Sequence, residues 1–237
     1  ILRSNVTVES EINTASKITI AQAISALASG EGLGTLFDSL RRNPERSVGF
    51  TIAVIALGAK MAKADGLVTR DEVAAFRRVF TIPKGEEASA AKVFDLARQD
   101  VAGFDAYARK IRAMFKPSDR DVMIDLMEGL FHIAVADRQF HPAEETFLRN
   151  VAQIFGLDDP CFRSLRARHV QDDPYAVLGV DPSAPDEAIR KAWRVAVKAS
   201  HPDLMIARGV PAEAVKLAQD RLRALNAAWE EISKARA

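Results

Sequence analysis

Three consecutive residues near the C-terminus, His201, Pro202 and Asp203, place a titratable imidazole two positions from a carboxylate. A histidine and a carboxylate can act together in acid–base catalysis or as two ligands of a metal ion. The sequence places no third metal ligand and no catalytic arrangement of a nucleophile with a base beside them. We therefore interpret this segment, the His-Pro-Asp tripeptide, as something other than an active site, and we expect no enzymatic activity.

A group of cationic side chains precedes the tripeptide on a single predicted helix. Three of them follow one another at i+4 spacing, where like charges repel by a few tenths of a kcal/mol each. Two interpretations follow: a solvated helix face, or a surface that meets an acidic partner. This basic face consists of Arg190, Lys191, Arg194 and Lys198.

Two predicted helices must position these groups. The first starts near 183–185 and carries an apolar stripe at helical spacing, Ile189, Ala192, Trp193, Ala196 and Val197. It ends at Ser200, because a residue that precedes proline disfavours the helical conformation. A loop is predicted next, through Gly209 and Pro211. The last helix carries a seam at alternating spacings of three and four, which predicts an antiparallel hairpin of the two helices. The seam residues are Val215, Ala218, Leu222, Leu225, Trp229 and Ile232.

An internal repeat brings together a second set of candidate groups. The segment Ala64–Glu72 aligns with Ala136–Glu144, 72 residues later, and each copy reads as a helix, an Ala-Asp turn and a new helix. Oxygen ligands of this kind suit a hard cation such as calcium or magnesium. The same acids also suit helix N-termini and turns, so both interpretations stay open. The candidate metal ligands are Asp65, Glu72, Asp137 and Glu144.

Composition and pattern favour an all-α fold. Of the 237 residues, 48% are hydrophobic and 7% aromatic, and no sustained period-2 alternation occurs. The net charge of +1 gives no reason to expect a nucleic-acid partner. A single cysteine excludes a disulfide framework within the chain. The run 18–40 is interrupted by polar residues, and the clean run 48–59 is too short for a bilayer, which needs about 20 residues. We therefore predict no membrane span.

We predict four segments along the chain. They are an irregular N-terminal segment at 1–45, a helical bundle with the internal repeat at 46–160, a linker with a short helix at 161–171, and the helical hairpin at 172–237.

The C-terminal segment resembles a J domain of the DnaJ family over its full length. The resemblance rests on Asp173-Pro174-Tyr175 followed by Leu178-Gly179-Val180, then the basic helix, the His-Pro-Asp tripeptide, and 225–232 with the sequence LNAAWEEI. The bundle with its Ala-Asp-Gly turn is similar to a TerB-like domain. Together with the segment 201–213, this order resembles the DjlA-like co-chaperones. Leu204 departs from the pattern, since J domains usually have lysine there, and Trp193 and Trp229 replace the usual tyrosines.

The resemblance implies a co-chaperone that stimulates a DnaK-type ATPase in the stress response. It implies that the basic face and the tripeptide bind that ATPase, and that the TerB-like domain confers client, location or regulatory specificity. It also implies a cytoplasmic location, at the cytoplasmic face of the inner membrane if an anchor precedes Ile1. No cofactor is expected apart from the divalent cation considered above. The alternative hypothesis is a metal-responsive binding module of tellurite-resistance type with an accessory J domain.

Overall fold

The computed structural model describes residues 46–64, 103–136, 140–170, 173–210 and 215–236. Within these ranges the regular elements are all α-helices, which confirms the predicted fold class. The N-terminal segment and the first copy of the repeat after Ala64 lie outside the described residues. The helices are α1 (Arg46–Ala64), α2 (Phe104–Met114), α3 (Arg120–Ala134), α4 (Pro142–Ile154), α5 (Asp159–His169), α6 (Pro174–Leu178), α7 (Asp186–Ala199), α8 (Pro202–Arg208) and α9 (Val215–Ala235).

Helix α1 is the central helix of the bundle formed by α1 to α5. It packs against α2, α3 and α4, and its described side chains, from Phe50 to Met61, are buried. A helix that is apolar on all sides is stable only when other helices surround it. No helix in the described ranges is long and apolar enough to cross a membrane.

Local chemistry fixes where the later bundle helices begin. At α4, Pro142 occupies the first turn and the carboxylate of Glu144 accepts a hydrogen bond from the His141 backbone N–H at 2.9 Å. At α5, the side chain of Asp158 accepts a hydrogen bond from the backbone N–H of Cys161 at 3.1 Å. This helix starts two residues before the linker with a short helix that the sequence predicts at 161–171, and its Phe162 and Leu165 belong to the bundle core.

The C-terminal hairpin consists of α6 to α9. Helix α6 ends at Gly179, whose φ of 68° is the left-handed conformation that terminates a helix. Asp186 at the start of α7 pairs with Arg236 just after α9, and Trp193 in the middle of α7 stacks on Trp229 with ring centroids 5.1 Å apart. Residues later in α7 thus contact residues earlier in α9, so the two helices run antiparallel, as predicted.

The sequence predicts a loop after Ser200, through Gly209 and Pro211. This prediction is wrong over 202–208, where the structure has helix α8. Proline at the first helical position and histidine before it are a compatible helix start. The helix ends at Gly209, whose φ is 101°. Met205 on its inner face is 1% exposed. The prediction failed because seven residues show too little hydrophobic periodicity for a helix to be distinguished from a loop.

Candidate partner-binding site

The His-Pro-Asp tripeptide forms the start of helix α8. His201 is the N-cap residue, and its Nδ1 accepts a hydrogen bond from the backbone N–H of Asp203 at 3.2 Å. This imidazole therefore takes the role that a short polar side chain usually has at an N-cap. The side chains of His201 and Asp203 are 59% and 86% exposed, and Asp203 Oδ2 lies 3.7 Å from His201 Nδ1. The tripeptide is thus locally rigid while its two functional groups face solvent.

The basic face lies on the helix that leads directly to the tripeptide. Its four cationic side chains are exposed on α7, and none of them pairs with a carboxylate of the described residues. Arg190 lies over the ring of Trp229, with its guanidinium carbon 5.8 Å from the ring centroid. The positive charge of this surface is therefore available to an approaching anionic partner.

Exposed apolar side chains flank the same region. Leu204, the residue that replaces the usual lysine, is 42% exposed, and Ile206 on the same short helix is 45% exposed. Val195 on α7 is 61% exposed. The surface therefore combines cations, one exposed carboxylate and apolar area, which suits binding of a partner protein rather than chemistry.

Of the four candidate metal ligands, the structure describes only Glu144. Asp65, Glu72 and Asp137 lie outside the described residues, and the buried Glu144 caps α4 as described above. In the part of the chain that the structure describes, no group of three or more histidine, cysteine, aspartate or glutamate side chains could hold a metal ion. The metal site therefore stays a prediction from the sequence.

A buried ion cluster joins the bundle to the hairpin, and the sequence analysis missed it. Asp125 on α3 accepts hydrogen bonds from Arg208 Nε of α8 at 3.1 Å and from Arg221 Nη2 of α9 at 2.8 Å. One turn further along α3, Glu128 Oε1 lies 2.8 Å from Arg168 Nη1 and 3.0 Å from Arg221 Nε. Both contacts are ion pairs without hydrogen-bond geometry, because Glu128 Oε1 and Arg221 Nε have no hydrogen-bond partner among the described residues. The cluster consists of Asp125, Glu128, Arg168, His169, Arg208 and Arg221.

The two carboxylates of the cluster have different electrostatic environments. Burial raises the pKa of Asp125, and the guanidinium groups of Arg221 and Arg208 only partly oppose this rise. Burial also disfavours the charge of Glu128, but Arg168, Arg221 and His169 outweigh it and hold its pKa below the ordinary value of 4.5. His169 Nε2 lies 2.6 Å from Glu128 Oε2, and its ring stacks on Phe131. His169 thus has a structural role within the cluster.

A signal for this cluster exists in the sequence. Asp125 and Glu128 stand at i and i+3 of α3, in a run of mainly apolar residues that also contains His132. Buried carboxylates are nearly always paired, so such a pattern predicts cationic partners elsewhere in the chain. Only the folded structure identifies those partners.

Comparison with known families assigns both parts of the chain. The TerB family, described as tellurite resistance protein TerB, matches residues 51–167, and the DnaJ domain family matches residues 173–237. The co-chaperone protein DjlA of Coxiella burnetii is 26% identical over 74% of this chain and 73% of its own length. The DjlA of Photobacterium profundum is 25% identical over 86% of this chain and 84% of its length. No solved structure matches.

The fold and these matches define a J-domain protein in which a TerB domain precedes a C-terminal DnaJ domain. This order, with distant homology over most of the chain, places it with the J-domain co-chaperones of the DjlA type, a family of co-chaperones and not of enzymes.

Proposed function

We propose that this protein stimulates the ATPase of a DnaK-type chaperone through the His-Pro-Asp tripeptide and the basic face. The observation that carries the proposal is the continuity of the two: four exposed cations on α7 lead directly into a rigid, exposed tripeptide. J-domain identity supports the partner class.

Each part of the surface has a distinct role in this proposal. The basic face attracts an acidic surface of the ATPase, which raises the association rate and makes binding sensitive to salt. Asp203 pairs with a cation of the partner, His201 orients it through the hydrogen bond to its backbone N–H, and Pro202 restricts the backbone at the start of α8. Leu204 adds apolar contact where related domains have a charge, so affinity depends less on salt at this position.

The TerB domain has a separate role. It confers client, location or regulatory specificity on the J domain, because the tripeptide itself selects only the ATPase. In this view a client protein is delivered to the ATPase by the bundle or by a surface next to it. No observation on the described residues favours the metal-responsive module over this function.

The test is ATP hydrolysis by the partner chaperone, measured with increasing amounts of wild type or His201→Gln. Glutamine keeps a polar side chain but lacks the imidazole. We expect at least a tenfold loss of stimulation, which corresponds to the roughly 1.5–3 kcal/mol that one hydrogen bond to a charged group carries. Circular dichroism should show both proteins equally helical. Equal stimulation by both would refute the proposal.

The chain supplies a matched control for this substitution. His141 also precedes a proline and also stands at the N-cap of a helix, but on α4 of the bundle. His141→Gln should therefore leave ATPase stimulation unchanged. A similar loss in both variants would show that the effect arises from helix capping and not from the tripeptide.

A further inference from the structure

At the end of the hairpin that carries the tripeptide, the apolar side chains pack into the hydrophobic core of the bundle. The apolar side chains at the far end, including Ile189, Leu225 and Ile232, form a core of their own. Those near the tripeptide belong instead to the core of the bundle. They are Met205, Val210, Leu217 and Ala218. The region around the tripeptide therefore has no separate core within the described part of the J domain.

Close approach of the helices makes this packing possible. Gly129 of α3 lies where the bundle meets α9, and a β-carbon placed there would be 3.8 Å from Leu217 Cδ1 and 3.4 Å from Val54 Cγ2. The helices α1, α3 and α9 therefore lie within van der Waals distance of one another at this position. Helix α8 also packs directly on α3.

One arginine connects the tripeptide's two flanks to the bundle. Arg208, at the end of α8, donates from Nη2 to the backbone carbonyl of Ala199 at 3.0 Å, and Ala199 is the last residue of α7. The same guanidinium donates from Nε to Asp125 at 3.1 Å. The tripeptide lies between Ala199 and Arg208, so the position of this guanidinium fixes both ends of the segment that contains it.

The orientation of Arg208 depends on a carboxylate of the other domain. Asp125 has no exposed side-chain area, whereas the side chain of Arg208 is 18% exposed. A second, exposed carboxylate, that of Asp121, lies 3.6 Å from Arg208 Nη1. The buried contact is the stronger restraint, because charged hydrogen bonds strengthen where water is excluded.

We propose that Asp125 of the TerB domain is a positioning residue for the His-Pro-Asp tripeptide and acts through Arg208. The bundle thereby sets how well the J domain engages its ATPase, and a ligand that displaced α3 would change that engagement. This inference rests on the proposed function.

The test compares two substitutions on one helix, Asp125→Asn and Glu128→Gln, in the full chain. Both remove a buried negative charge from the cluster, but Glu128 contacts Arg168, His169 and Arg221 and not Arg208. Asp125→Asn should raise the concentration needed for half-maximal ATPase stimulation about tenfold, within the range usual for coupled sites. Glu128→Gln should change it by less than about twofold, at a temperature where circular dichroism shows every variant folded.

Two further measurements keep the inference testable. If Asp125→Asn does not fold, Arg208→Gln replaces it and should show the same tenfold increase in the concentration needed for half-maximal stimulation. When both variants fold, the double variant should need no higher concentration than either single variant. Backbone amide NMR signals of His201, Asp203 and Leu204 should shift in Asp125→Asn and stay in place in Glu128→Gln.

The outcomes separate the two proposals. If the wild type fails to stimulate the ATPase, the proposed function fails, and the NMR comparison alone decides the positioning role. If the wild type stimulates and Asp125→Asn behaves like it, or like Glu128→Gln, the positioning role is refuted while the proposed function stands.

Discussion

Removal of the Glu128 charge gives a sharp test of how the two domains are held together. Its side chain is 2% exposed and lies within 3.0 Å of the guanidinium groups of Arg168 and Arg221 and of the imidazole of His169. Glutamine in its place keeps the size but leaves the cations without their counter-charge. A buried charge that loses its partner is costly, because the interior cannot replace the hydration it gave up.

The magnitude follows from what remains around the cations. Removing one partner of a buried ion pair costs about 3–5 kcal/mol. Asp125 still holds Arg221 at 2.8 Å in the variant, so part of the charge remains compensated. We therefore expect Glu128→Gln to lower the free energy of unfolding by about 3 kcal/mol, at the lower end of that range.

Urea unfolding at pH 7, followed by circular dichroism, measures this loss. The midpoint should fall with little change in the slope of free energy against urea, because the exposed surface stays the same. The control is Asp105→Asn, an exposed carboxylate that pairs with Arg109 on the bundle surface and should leave the midpoint unchanged. A loss below about 1 kcal/mol in Glu128→Gln, as for a surface ion pair, would refute the reasoning.

The same contacts predict a pH dependence with a defined sign. The pKa of Glu128 is held below its ordinary value of 4.5, so the native state binds its proton less readily than the unfolded chain. Its contribution to stability is therefore complete above about pH 4.5 and is lost as the pH falls toward the native pKa. The groups that face it are Arg168 and His169 of α5, Arg221 of α9 and Asp125 of α3 itself. The stability difference between wild type and Glu128→Gln should narrow below pH 4.5, and a difference that stays constant with pH would contradict this account.

Two further predictions concern the packing of the domains and the approach of the partner. Leu217→Ala should lower the free energy of unfolding, measured in urea, by about 3 kcal/mol, because this side chain is 2% exposed in the shared core and its truncation leaves a cavity. A decrease below about 1 kcal/mol would show that the two domains are not packed as described. The double substitution Arg194→Ala and Lys198→Ala should slow association with the ATPase and weaken the salt dependence of the association rate, measured by stopped-flow at two ionic strengths. The control, Arg109→Ala on the bundle, should have no effect. An unchanged salt dependence in the double variant would count against the basic face as the surface that attracts the partner.

Local patterns in the sequence were sufficient for the fold class and for the helix ends that single residues impose. Helix α7 ends before the proline of the tripeptide, and α6 ends at Gly179, because single residues there restrict the backbone whatever the rest of the chain does. The antiparallel pairing of α7 and α9 followed from complementary apolar spacing, which is also a local property. The members of the tripeptide and of the basic face were predicted in the same way, since they are neighbours in sequence.

Tertiary structure decided how these neighbours are supported. The sequence shows two acids in the apolar run of α3, but nothing local indicates that Asp125 meets Arg208, 83 residues later, or Arg221, 96 residues later. The seam of α9 looks uniform in sequence, yet its first turns complete the bundle core and its last turns complete the hairpin core. Burial and charge pairing depend on which distant surfaces meet, and spacing along one helix specifies only which of its faces is apolar.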